Sequence, residues 1–327
     1  MRSSWRVAAT LAALGGAGVL ALPSSASAVA NACVARTPTR TGTVTWQLRQ
    51  VSGLTTVAAS PGVLFTHNDR GIRDSPAAGE DTTAAAVWAI GPDGVPLARF
   101  RLIDAALAPI PYFDTEAIAR DPQGRIVLAD TGTNVDARVT VALYRFTPPV
   151  VVPGQAFVAQ DVTAEVIPVA YYANATTSTK TQLNVESMAI DAGGAAWFVP
   201  RQSGKPYSYV IPAAELDQAA GTLNPARAVR SSRLTVAGPM TDAAISPDGT
   251  MLLVKTGTVV YAYNLSGTTV AGALASAPCT VAKAPKRKDP GWGEAITARD
   301  DGGFVTIAEG TKTQHSGLAT AIWSFAV

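Results

Sequence analysis

Apolar residues along this chain come in short runs rather than in a helical stripe. The runs recur as one phrase: a polar or acidic residue, an apolar strand, a turn built on Pro, Asp or Gly, and a second apolar strand. Clear copies read TEAIARDPQGRIVLAD at 115–130, VESMAIDAGGAAWFVPR at 185–201, TDAAISPDGTMLLVK at 241–255 and GEAITARDDGGFVTIAEG at 293–310, with a fainter LTTVAASPGVLFTHND at 54–69. Their turn glycines, Gly62, Gly124, Gly194, Gly249 and Gly302, stand between 53 and 70 residues apart, a spacing that suits propeller blades.

A third apolar strand bearing aromatics follows every hairpin, at 84–91, 139–146, 207–213, 259–265 and 321–327. A fourth follows only the first four hairpins, at 96–102, 161–169, 226–236 and 279–284. The last repeat lacks its outer strand, while the amino-terminal side offers an unassigned one, GTVTWQL at 42–48. The pattern therefore predicts an all-β, five-bladed β-propeller closed by the N-terminal strand, with six blades as the alternative count. Such closure leaves no open sheet edge. A β-sandwich would not require a periodic four-strand phrase.

Composition narrows the class. Of the 327 residues, 47% are apolar and only 15% charged, which excludes charge-driven disorder. Arg2 and Arg6 precede an uncharged run to Leu22 and then Ala26-Ser27-Ala28, the form of a secretory signal with its cleavage site. Residues 1–28 are thus expected to be a signal peptide and 29–327 a single propeller domain, secreted and extracellular or cell-wall associated. The mature chain would carry no formal net charge, so nucleic acid is not an expected partner. It holds no later run long enough to span a membrane, and a monomer is expected. In an oxidising compartment Cys33 and Cys279 are expected to form a disulfide across the seam between the last two blades.

Blade topology brings the heads of the inner strands and the ends of the second strands to one mouth of the channel. Glu116, Glu186 and Glu294 each stand eight residues before their turn glycine, whereas Asp242 stands seven before Gly249 and the same place in the first repeat is Leu54. Two readings of the three glutamates are open: acceptors for backbone N–H groups, or oxygen ligands to a hard cation such as Ca²⁺. Around them the second strands contribute His67, Asn68, Asp69, Asp130, Asn134, Arg201 and Lys255, with His315 in the corresponding loop of the last repeat. Lys283, Lys286, Arg287 and Lys288 precede Trp292 and suit an anionic or sugar-like ligand. There is no G-x-S-x-G, H-E-x-x-H or phosphate-loop motif, so no conventional catalytic triad is marked.

The stretches THNDRG (66–71), DTEAIARDPQGRIVLADTGTN (114–134), TDAAISPDGTMLLV (241–254) and GEAIT (293–297) resemble secreted bacterial propellers grouped with the esterase-like-activity-of-phytase and WD40-like families. The resemblance implies the architecture and export. It rests on Asn68, Asp69, Glu116, Asp130, Asn134, Glu186 and Glu294, and it departs from the family at Thr115, where many relatives carry a large aromatic. The expected function is binding of a small ligand or Ca²⁺ at a polar top-face channel. The alternatives are a Ca²⁺-assisted phosphoester or ester hydrolase and a glycosidase, the last needing two carboxylates about 5 to 9.5 Å apart.

Overall fold

The computed structural model describes residues 37–45, 48, 50–69, 84–111, 113–133, 137–283, 294–307 and 320–325. They begin with β1 (Thr39–Val44) and continue as antiparallel meanders. The first is β2 (Val51–Thr55), β3 (Leu64–Asn68), β4 (Ala86–Ile90) and β5 (Pro96–Ile103). β6 (Ala117–Arg120), β7 (Ile126–Asp130) and β8 (Val141–Phe146) begin the second, which after β9 (Val158–Thr163) is completed by β10 (Glu165–Tyr172), with the two-residue β11 (Lys180–Thr181) alongside. The third is β12 (Val185–Ile190), β13 (Ala196–Pro200), β14 (Tyr207–Ile211) and β15 (Ala226–Arg233), with helix α1 (Ala213–Ala219) ahead of β15. The fourth is β16 (Met240–Ile245), β17 (Met251–Thr256), β18 (Val259–Asn264) and β19 (Cys279–Lys283), with helix α2 (Val270–Ala275) ahead of β19. β20 (Ala295–Ala298), β21 (Phe304–Ile307) and β22 (Thr320–Phe325) form the last.

This is an all-β propeller. Its innermost strands β2, β6, β12, β16 and β20 touch in that order, and β20 touches β2 again. The last sheet has the order β1-β22-β21-β20, and Thr39 to Val44 pair antiparallel with Ser324 to Thr320. The two ends of the described chain thus share a sheet, through a strand that begins three residues before the expected 42–48. Buried apolar clusters fill every gap between neighbouring meanders. Ile118 and Phe100 belong to the gap between first and second, Met188 and Leu143 to the next, and Val254 and Ala189 to the third. Leu253 and Ile296 fill the gap between fourth and last, and Leu54 and Ile322 the one that returns to the first. Inner strands are covered on both faces, which is why β2, β7, β12 and β17 are buried at every position and do not alternate.

Local chemistry explains the repeated phrase. Gly62, Gly124, Gly194, Gly249 and Gly302 all have positive φ, from 71° to 83°, a region that costs other residues strain. The aspartates of the turns accept backbone N–H groups two and four residues on. Asp121 takes those of Gln123 and Arg125, and Asp191 those of Gly193 and Ala195.

One expected outer strand, 161–169, is divided at Ala164. β9 pairs in parallel with β5 of the first meander, and β10 pairs antiparallel with β8 of the second. A single run thereby covers one open edge and completes the neighbouring sheet. β10 also pairs in parallel with β15, joining the second and third meanders at the rim. No helix among the described residues is long and apolar enough to cross a membrane.

Candidate functional site

Strand register decides which residues ring the channel mouth. Bulges interrupt β2 between Val51 and Gly53, β12 between Val185 and Ser187, and β16 between Met240 and Asp242. The residue just before the first regular pair is then Ser52, Glu116, Glu186, Thr241 and Glu294 in successive meanders. The first repeat therefore contributes Ser52 rather than Leu54, because its turn is longer. Asp242 falls one step further along, where the others carry Gly53, Ala117, Ser187 and Ala295.

Glu116 is the centre of one cluster. Carboxylate oxygens of Asp69, Asp114 and Glu116 lie within 4.8 Å of one another. Ser52 Oγ donates to Glu116 Oε2 at 3.1 Å and to its carbonyl at 3.2 Å. Gly132 lies against the same group. A β-carbon there would sit 2.4 Å from Asp114 Oδ2 and 2.6 Å from Glu116 Oε1, so only glycine leaves these carboxylates their space. Burial, followed by the negative charges of Asp69, Glu186 and Asp114, holds the Glu116 pKa well above the usual carboxylate range, against a lowering by Ser52.

Asp130, expected as a ligand residue, has a supporting part. It is fully buried and accepts from the N–H groups of Phe113 and Asp114 at 2.9 Å, from Tyr144 Oη at 2.9 Å and from Arg138 at 2.7 Å. Its oxygens are occupied in holding the segment that presents Asp114. From the first meander, the carbonyl of Asn68 accepts from Thr115 Oγ1 at 2.7 Å, and the carbonyl of Asp69 accepts from the Thr115 N–H at 3.1 Å. A threonine here laces the end of β3 to the head of β6.

The other two glutamates belong to a second group. Arg201 reaches Glu186 at 2.5 Å and Glu294 at 3.9 Å, and its side chain is 41% exposed. Asn184 donates to the remaining Glu186 oxygen at 3.0 Å. Burial raises the Glu186 pKa to about 7; Arg201 and Asn184 pull it down and Glu294 adds to the rise. Glu186 and Glu294 thus share a guanidinium, whereas the carboxylate oxygens that lie within 4.8 Å of one another are those of Asp69, Asp114 and Glu116.

His67 and Lys255 are fully buried and do not line an open surface. His67 Nδ1 donates to the Asn68 carbonyl at 3.1 Å, which leaves Nε2 unprotonated. Burial lowers the ring's pKa from 6.5 to about 4. Burial likewise lowers Lys255 to about 8, while Glu294 and Asp242 favour its charge. Asp242 accepts the N–H of Ala243 and that of Ile296 in the neighbouring inner strand, each at 2.7 Å. Burial raises its pKa, opposed by those bonds, by Lys255 and by a bond from the Leu54 backbone. One carboxylate thus ties the inner strands of the fourth, last and first meanders. Asn134, Trp292, His315 and Cys33 lie outside the described residues, whereas Cys279 opens β19.

Asp114 and Ser52 escaped the sequence pattern. The signal for Asp114 was its place two residues before Glu116, which on an extended segment puts both carboxylates on one side. At the opposite mouth a cavity of about 450 Å³ opens among the hairpin turns, lined by Ile118, Arg120, Ile190, Ile245 and Asp300 among others. Asp121, Asp191 and Asp248 also line it, but their oxygens are engaged in their own turns.

No family model matches the chain, and no curated protein does. Solved structures similar to it include a gluconolactonase of Xanthomonas campestris, at 16% identity over 93% of both chains with a TM-score of 0.41. The PQQ-bound aldose sugar dehydrogenase of Streptomyces coelicolor is 14% identical over 89% of this chain and 98% of that one, with a TM-score of 0.42. Hydrazine synthase of Kuenenia stuttgartiensis is 13% identical over 58% of this chain, with a TM-score of 0.33, and the chain spans only 41% of its length. The fold and the site described above rest on this chain's own strand pairings and contacts.

Proposed function

We propose that this protein is an exported, monomeric, five-bladed propeller, with β1 as the outer strand of its last blade, that binds a small extracellular ligand together with Ca²⁺ at the channel mouth. The observation that carries the reading is the convergence of Asp69, Asp114 and Glu116 from two blades to within 4.8 Å. Such a set of hard oxygens, with space kept by Gly132, fits Ca²⁺, which takes six to eight oxygen ligands. When bound, the ion would supply charge for an anionic ligand group. Arg201, half-exposed beside it, offers a guanidinium to the same group. Ca²⁺ would bind the ionised form of Glu116, whose proton burial and the neighbouring acids hold more tightly than usual, so its affinity should rise with pH.

Ca²⁺ at a hundredfold excess over its dissociation constant is expected to stabilise the protein by about 2.7 kcal/mol, read as a raised melting temperature. Asp114→Asn and Gly132→Ala should abolish the shift, the second by displacing two carboxylates with little disturbance of backbone. A wild-type protein whose melting is indifferent to millimolar Ca²⁺ would remove the proposal. Arg201 next to the acidic cluster also favours the phosphoester hydrolase reading; that reading requires Glu116→Gln to lose turnover on generic phosphoesters.

The motif resemblance to the phytase-like propellers agrees with this architecture and adds no residue to the site. Cys33 and Cys279 are proposed to close the seam as a disulfide, a reading supported by the lack of any free cysteine among the described residues. Under denaturing conditions both thiols should alkylate only after reduction. Alkylation of either without reductant would exclude the bond.

A further inference from the structure

The top of the third meander carries a strip of cations. In sequence, residues 192–214 and 218–240 contain no Asp or Glu, yet they hold Arg201, Lys205, Arg227, Arg230 and Arg233 in a chain whose formal charge is only +2. Of the acids of this meander, Asp191, Glu215 and Asp217 lie in its hairpin turn and in α1, at the other end of the strands, and Glu186 on β12 is taken by Arg201.

Register gathers four of the cations. β14 and β15 pair Tyr209 with Arg230 and Tyr207 with Arg233, so two residues of one strand span three of the other and a bulge lies between the arginines. Without it, residues three apart would face opposite sides of the sheet. With it, both guanidiniums flank one exposed ring: Arg230 lies 4.8 Å and Arg233 5.7 Å from the centre of Tyr207. Arg233 Nε also donates to the Lys205 carbonyl at 3.4 Å, bringing a third cation alongside. The loop from Arg201 to Pro206 is tied down by Leu234 N–H to the Pro206 carbonyl and by Gly238 N–H to the Gly204 carbonyl. The strip thus leads from Arg201 at the channel mouth, by way of Lys205, to the outer strand.

Beyond Arg201 its charges are unspent. Arg101, Arg125, Arg138, Arg145, Arg201 and Arg299 each hold a carboxylate, but Lys205, Arg230 and Arg233 have no acidic partner among the described residues. β10 stops pairing with β15 at Val229, so among the described residues no strand pairs with the outer edge of β15 from Arg230 to Arg233.

We infer that this strip is a docking surface for a linear acidic polysaccharide, whose repeated carboxylates engage Arg233, Arg230 and Lys205 in turn. Guanidiniums pair with planar carboxylates through two parallel bonds. A single line of cations matches a single polyanionic chain, and the guanidiniums over the Tyr207 ring compete with a nucleobase for its face. The inference goes beyond the Ca²⁺ reading and does not depend on it.

The test uses the full chain in EDTA with polygalacturonate, uncharged dextran and single-stranded DNA as probes. Wild type should bind polygalacturonate, more weakly as salt rises, and should ignore dextran. The double variant Arg230→Gln/Arg233→Gln should lose at least about tenfold in affinity, through the loss of two released counterions. Arg230→Lys/Arg233→Lys, which keeps the charge, should recover most of the binding, and Asp300→Ala, at the opposite mouth, should bind as wild type does. Unaltered binding by the Gln pair, equal binding to dextran, or tighter binding to DNA than to polygalacturonate would each overturn the inference. Loss of Ca²⁺ stabilisation in wild type would leave it standing.

Discussion

Replacing Asp242 with alanine is expected to cost about 3 to 5 kcal/mol of stability, the size of loss seen when one partner of a buried charged network is removed. The carboxylate is fully buried and accepts the N–H groups of Ala243 and Ile296, with a further bond from the Leu54 backbone. Alanine leaves those donors without an acceptor, at about 1 to 3 kcal/mol for each buried group that stays unsatisfied. It also takes an attractive charge from the buried Lys255. Three inner strands lose their common anchor at once. Urea unfolding measures the effect, with Asp300→Ala as the exposed control, for which a change within about 0.5 kcal/mol is expected. If Asp242→Ala proved as mild as its control, the central carboxylate would not be what joins these strands.

The second large effect is acid lability through His67. Its ring is neutral in the fold, with a pKa of about 4 against 6.5 for the free side chain. Between those values the unfolded chain takes up a proton that the folded one refuses, so stability falls as pH drops from about 6.5 to about 4 and is unaffected above that window. At 1.36 kcal/mol per unit, the total is roughly 3 kcal/mol. Glu186 acts in the opposite sense. Its carboxyl, raised to about 7, protonates earlier in the fold than in the unfolded chain, and so stability grows as pH falls from about 7 to 4.5. The two windows overlap, and wild type alone would show only their difference. Comparing wild type with His67→Asn, whose amide can still donate to the Asn68 carbonyl, isolates the histidine; comparing it with Glu186→Gln isolates the acid. Identical slopes for wild type and His67→Asn below pH 6 would contradict the buried neutral ring.

Much of the architecture was legible because its causes are local. Positive-φ glycine turns recur wherever the phrase recurs, and the apolar runs of the inner strands are continuous because both faces are covered. The missing fourth strand of the last repeat was enough to require a closing strand from the other end of the chain, and β1 pairs with β22. Its position was off by three residues, since period-two patterning locates a strand better than it locates its ends.

The site was legible in part. Counting back from the turn glycine found Glu116, Glu186 and Glu294 and set Asp242 one step out of phase, but it missed Ser52 and did not show where the Asp242 carboxylate goes. Hairpin length and bulges, which set what faces the channel, are choices of pairing that leave no mark in a residue count. Carboxylates at equivalent places were also separated in role by one side chain, Arg201, whose reach to both Glu186 and Glu294 depends on how neighbouring blades are set side by side.

By itself, then, the order of residues determined the strand phrase, its turns and the need for the two ends to meet, because each follows from side-chain chemistry within some twenty residues or from a count of strands. Only the tertiary structure decided that Asp69 and Asp114 join Glu116, that Asp130 holds the segment carrying Asp114, and that His67 and Lys255 are buried. Those outcomes depend on contacts between segments tens of residues apart, and on burial, which is a property of the packed ring and not of any stretch of it.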